Sequence, residues 1–213
     1  MTNQDFEEKL RQEFTDVEGS QDLLRQYFSE SGNRFTGSQF EQLCDSDNPN
    51  TITANDILAV GALSVEIPVR TALWILGDEG SEKISAILRN VRTDIDIWHP
   101  DAGHLLAEGG PLWELWDLLS IARWPVPQKS NDMGQTKISK LIAAKRPRLS
   151  PVLDSVITGT VFPGTGRYWE AFRFALSNDE LRDHIVDVTS IPEVPADISL
   201  LRRIDVVLWS RHR

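Results

Sequence analysis

Cysteine is almost missing from this chain: Cys44 is the one thiol in 213 residues. That excludes a disulfide framework, a cysteine-only zinc site and a four-cysteine iron–sulfur cluster, and it fits a reducing compartment. No apolar run approaches the roughly 20 residues of a membrane-spanning helix. The acidic start (Asp5, Glu7, Glu8) is unlike a secretory leader. A cytoplasmic protein without a membrane partner is expected. Basic residues are also scarce: 22 Lys and Arg stand against 32 Asp and Glu, a formal net charge of −10. Such a balance argues against a protein that coats nucleic acid, although a contact needs only a local basic face. There is no Gly-x-Ser-x-Gly elbow, and Gly164-Thr165-Gly166 lacks the Lys-Ser/Thr of a phosphate-binding loop. Cys44 has Glu41, Asp45 and Asp47 as near neighbours in sequence, which raises a thiol pKa and makes it a poor nucleophile. His99 and His104 with Asp94, Asp96 and Asp101 lack a regular ligand spacing. No metal and no cofactor is expected.

What is present is a helical pattern over most of the length. Apolar residues recur at helical spacing in residues 3–14 (Phe6, Leu10, Phe14), 21–29, 81–91 (Ile84, Ile87, Leu88), 111–124 (Leu112, Leu115, Trp116, Leu119), 167–176 and 196–209. Thr53 with Asp56 resembles a helix start, and the apolar residues from Ile57 to Leu63 make that helix central. Pro68 opens another helix that should stop at Gly77. Gly32 and Gly37 bracket a turn around Arg34 and Phe35, residues 94–110 are irregular, 124–133 form a loop, and 162–166 a turn. Ser150-Pro151 fits the start of a helix running to about Thr158. Only Ile185–Val188 and Asp94–Trp98 alternate as strands do. The expectation is an all-α, compact multi-helix protein. An acidic helical segment, 1–50, should pack on a helical core, 51–213. Of the seven tryptophans, Trp113, Trp116, Trp124 and Trp169 are candidates to line a pocket, against the ordinary role of core anchors.

Against the global charge stands one basic island. Between Met133 and Leu153 lie Lys137, Lys140, Lys145, Arg146 and Arg148 with no acid, and Asp154 closes the run. A helix starting after Gly134 offers free N–H groups and a positive dipole end to an anion. Ile138, Leu141 and Ile142 form its apolar stripe, so Lys137, Lys140 and Lys145 should fall largely off it, on a face that meets phosphate. Arg146-Pro147-Arg148 then makes an extended basic turn.

The segment Met133-Gly134-Gln135-Thr136-Lys137, the helix through Ala144, the turn Arg146–Pro151 and Val152-Leu153-Asp154-Ser155-Val156 resemble the helix–hairpin–helix DNA glycosylase superfamily. Gly134 and Asp154 are 20 residues apart, about that family's spacing. The likeness covers residues 132–158. It implies a hairpin that grips DNA phosphate through Gly134, Thr136, Lys140, Lys145, Arg146 and Arg148. It also implies a catalytic Asp154 that stabilises the cationic sugar formed as a base departs. Bifunctional members carry a nucleophilic lysine in this helix, at a position that falls on Thr136 or, with a longer turn, on Lys137. The chain departs from the pattern at Asp132, where the family has glycine, and at Ile138 or Ser139, where it has a small residue. A second likeness is to uncharacterised bacterial proteins of about this length, carried by TANDILAVGALSVEIP, TKISKLIAAKRPRLSPVLDSV and LLRRIDVVLW. Two functions stay open: a DNA N-glycosylase-like hydrolase, or a non-catalytic module of the same fold that binds nucleic acid or protein. Asp154 separates them, because an enzyme needs it at the mouth of a pocket.

Overall fold

A computed structural model describes residues 1–29, 35–161 and 168–213, with the side chains of 160 and 161 excepted. Among these residues the fold is all-helical, without a strand. The helices are α1 (Asn3–Glu13), α2 (Val17–Phe28), α3 (Phe40–Leu43), α4 (Ala54–Ala62), α5 (Val69–Leu76), α6 (Asp78–Leu88), α7 (Ala102–Leu106), α8 (Pro111–Ile121), α9 (Gln135–Lys145), α10 (Tyr168–Leu176), α11 (Asp179–Thr189) and α12 (Leu200–His212). A 3-10 turn, Thr36–Gln39, leads into α3, and a π-helical turn covers Ile157–Val161. Among the described residues no helix is long and apolar enough to cross a membrane.

Local chemistry sets many of the helix starts. Thr2 and Asp5 cap α1 reciprocally, with Asp5 N–H donating to Thr2 Oγ1 at 3.1 Å and Thr2 N–H to Asp5 Oδ2 at 2.8 Å. Thr53 N–H donates to Asp56 Oδ2 at 2.7 Å at the start of α4. Asn178 and Ser199 cap α11 and α12 through their side chains. Gly110 precedes α8 because a Cβ there would lie 2.4 Å from the His104 carbonyl oxygen.

Packing joins both ends of the chain to one core. Phe6, Leu10 and Phe14 are fully buried, and α1 lies on α10 with the Phe6 and Phe172 rings 4.8 Å apart. Burying a side chain of that size contributes about 1.5–3 kcal/mol before the entropy of ordering it. Helix α2 packs on α11 and α12, and α12 on the π-helical turn. Helix α9 packs between α4 and α8, and every residue from Ile138 to Lys145 is buried.

Several boundaries differ from the sequence expectation. Helix α2 begins four residues before Gln21, because Asp16 caps it by accepting from Gly19 N–H at 3.0 Å. Helix α7 lies inside the segment read as irregular. The alternation at 185–188 belongs to α11, whose Leu181, Ile185 and Val188 follow helical spacing. Ser150-Pro151 does not open a helix: residues 151–154 are non-helical, and Ser150 Oγ instead accepts from Trp169 Nε1 at 3.3 Å. The turn at 162–166, a helix start at Arg167 and the turn at Arg34 fall outside the described residues.

Candidate functional site

The island folds inward more than outward. Lys140 and Lys145 are each 4% exposed and Arg146 is 1% exposed. The expected apolar stripe assumes one buried face, whereas α9 is enclosed on several. Lys145 Nζ pairs with Asp56 Oδ2 at 2.6 Å and donates to the carbonyls of Asp45 at 2.8 Å and Asn48 at 3.1 Å, which accounts for its three protons. Asp56 is completed by N–H groups of Asp45 and Thr53. Arg146 donates through Nε to Val91 O, through Nη1 to Pro49 O and Lys145 O, and through Nη2 to Asn50 Oδ1 and Leu88 O, at 2.5–2.9 Å. Burial alone lowers its pKa, to about 10. These two side chains stitch the 45–50 loop and the end of α6 to the end of α9. They offer nothing to an external phosphate.

Outward, the island is modest. Gly134 is exposed and caps α9, with open space where a Cβ would stand. Lys137 is half-buried and donates to Asp132 O at 3.0 Å, with Asp132 in a left-handed conformation, φ 59°. Arg148 is exposed and holds Asp96 in a bidentate pair at 2.9 and 2.5 Å.

Asp154 is positioned from two sides. Ser139 Oγ on α9 accepts from Leu153 N–H and donates to Leu153 O, both at 3.2 Å, fixing the backbone just before it. Asp154 Oδ1 accepts from Val156 N–H at 2.9 Å and Ile157 N–H at 3.0 Å, which starts the helical turn after it. No protein donor among the described residues reaches Oδ2.

Asp154 borders a cavity of about 370 Å³ whose lining includes Thr136, Lys140, Arg202 and Asp205, with Tyr27, Phe35 and Trp209 as its aromatic wall. The Tyr27 and Phe35 rings stack 5.4 Å apart, and Trp209 meets Phe35 edge-on at 5.6 Å. Arg202 anchors this region: Nε donates to Glu41 Oε1 at 2.9 Å, Nη2 to Tyr27 Oη at 2.7 Å and Gly37 O at 2.8 Å, and Nη1 to Asp205 Oδ2. Burial opposes its charge, but Asp205 and Glu41 overcome that and raise its pKa. Burial pushes Asp205 up to about 6 despite Arg202, and the negative Asp154 adds to the rise. Burial also pushes Tyr27 up to about 12 against the pull of Arg202. Lys140 donates to Leu63 O at 2.9 Å, its one described partner. Burial lowers its pKa, against Asp154 and Asp205, which favour its charge. The cavity therefore contains an amine with protons to give and two carboxyl groups with an oxygen each to use.

The sequence candidates divide. Thr136, Lys140 and Asp154 meet at this cavity; Lys137 does not line it. Trp113, Trp116 and Trp169 cluster elsewhere with Tyr168, their ring centroids 5.2–6.2 Å apart, and border cavities away from Asp154. Trp124 is 52% exposed in the loop after α8. Tyr27, Phe35, Trp209, Arg202 and Asp205 went unread. The signal was Arg202 and Asp205 at i and i+3 among the apolar Leu201, Ile204, Val207 and Leu208, a spacing at which two buried charges can pair. Cys44 is raised to about 12, first by burial and then by Asp56 and Glu41, so it supplies no thiolate. Asp94 and Asp101 pair with Arg92, and His99 Nδ1 accepts from Asp101 N–H at 3.1 Å.

No curated protein and no solved structure matches the chain. Residues 20–212 match one family model, which takes in both the cavity and the enclosed helix α9. The chain belongs to that group, described as a family of unknown function (DUF6308).

Proposed function

We propose that this cavity is the active site of an N-glycosyl hydrolase of the DNA-glycosylase type. The observation that carries the reading is Asp154: it lines the cavity with one carboxylate oxygen fixed by two backbone N–H groups and the other without a protein donor. A carboxylate so held stabilises the positive charge that grows on the sugar as the base leaves, and orients the attacking water. The aromatic wall of Tyr27, Phe35 and Trp209 offers stacking to an extruded base. At the start of α9, Gly134, Thr136 and Lys137 are the phosphate contacts, whereas Arg148, beyond the other end of that helix, is held by Asp96. Lys145 and Arg146 build the scaffold behind, and Lys140 serves the cavity. With so few outward cations, binding to DNA weakens only gently with salt. A purely binding module would instead need Lys140 and Arg146 at the surface.

The test is base release from duplexes carrying a single hypoxanthine or N7-methylguanine, comparing the native protein with Asp154→Asn. Asparagine keeps the cap, so the fold is retained. Release should fall about 10²–10³-fold, the loss typical of one electrostatic stabiliser. Undiminished release, or none from the native protein, overturns the reading.

A further inference from the structure

We propose, resting on the hydrolase reading above, that Asp205 is the proton donor of this cavity and forms the acid half of a two-carboxyl pair with Asp154. The two groups reach the site by different routes. Asp154 enters from the segment after α9, with its Oδ1 held by N–H groups. Asp205 enters from the middle of α12, 4% exposed, with Oδ2 engaged by Arg202. No protein donor among the described residues reaches its Oδ1, and Asp205 lines the same cavity as Asp154. The charged groups around it are Arg202 on its own helix, Lys140 on α9, and Asp154, with Tyr27 on α2 and Glu41 on α3 across the guanidinium. Burial and the Asp154 charge favour the proton on Asp205; Arg202 and Lys140 oppose it, and the balance stands at about 6. Two carboxyl groups held in unlike surroundings are how one pocket supplies both an acid and a base.

The step balances. The C1′–N bond breaks and its electron pair goes to the departing base. Asp205 Oδ1–H gives its proton to a ring nitrogen of that base. Water adds its oxygen to C1′ and passes a proton to Asp154 Oδ2. The sum is substrate plus water giving free base and sugar hydroxyl, and the carboxyl groups return to their starting states by exchanging a proton with solvent.

The leaving group provides the discrimination. Hypoxanthine needs a proton to depart, whereas N7-methylguanine already carries a positive charge and needs none. With the two duplexes, Asp205→Asn should lower hypoxanthine release about 10²–10⁴-fold, the range for general acid catalysis. It should leave N7-methylguanine release within about threefold of native. Asp154→Asn should impair both. Equal loss on both substrates, or no loss on either, in Asp205→Asn overturns the proposal while Asp154 dependence upholds the hydrolase. Release that ignores Asp154 overturns both. Should Asp205→Asn fail to fold, the ¹³C resonance of the Asp205 side-chain carboxyl decides in the native chain. A midpoint near 6 that drops in Asp154→Asn supports the donor, and a carboxyl ionised throughout from pH 4 upward overturns it.

Discussion

Two clusters of buried charge lie at opposite ends of α9, and they are built differently. At its C-terminal end, Lys145 and Arg146 bond entirely within the protein: three protons of one and five donors of the other meet acceptors of the chain itself. Nearer its start, Lys140, Asp154, Asp205 and Arg202 border a cavity and leave protons and oxygens over. Burying ions is costly, so a closed set is explained by structure alone, while an incomplete set at a cavity asks for an outside partner. The same run of basic residues in sequence thus serves scaffold at one end and chemistry at the other.

The contrast breaks first at the closed cluster. Lys145→Met strands Asp56 as an unpaired buried charge and should cost about 3–5 kcal/mol in urea unfolding. A loss under about 1 kcal/mol would remove the structural reading of that cluster. Arg146→Lys keeps the charge but gives up most of a five-bond fork across several segments, and about 3 kcal/mol should go with it. At the open cluster the expected signature is pH dependence. A carboxyl whose folded pKa is raised from 3.8 to about 6 stabilises the fold fully below its unfolded value. That contribution is lost as pH rises through 6. The stability of the native protein relative to Asp205→Asn should therefore decline between pH 4 and 7, by at most about 3 kcal/mol; a constant difference would contradict the protonated Asp205. Gly37→Ala places a Cβ 2.2 Å from Tyr27 Oη, displacing the tyrosine from Arg202. An overpacking cost of about 1–3 kcal/mol should show in thermal melting. Smallest of all, Arg148→Ala breaks a partly exposed pair with Asp96 and should move stability by less than about 0.5 kcal/mol.

Sequence periodicity was sufficient for the helical class, for α1, α4, α5 and α8, and for a helix after Gly134. It misplaced the lysines for a physical reason. Periodicity locates one apolar stripe, but α9 lies between two helices and beneath a loop, where Ala143 and Ala144 allow close approach and lysines turn inward to carbonyls. The cavity was half legible. Thr136, Lys140 and Asp154 lie within one local stretch, so their meeting follows from a helix and a turn. Tyr27, Arg202 and Asp205 are separated from them by long stretches of chain, and only the packing of α2 and α12 brings them together. Ring size predicts burial, and burial says nothing of which cavity a ring borders: Trp113, Trp116 and Trp169 border cavities away from Asp154.

The most direct test pairs two measurements on one variant, Asp154→Asn: the urea midpoint and base release from the hypoxanthine and N7-methylguanine duplexes. An open, functional cluster predicts a midpoint within experimental error of native and release lowered at least about 100-fold on both. Release at the native rate, or a midpoint that falls as far as in Lys145→Met, would make Asp154 another structural carboxylate and contradict the division drawn between the two ends of α9.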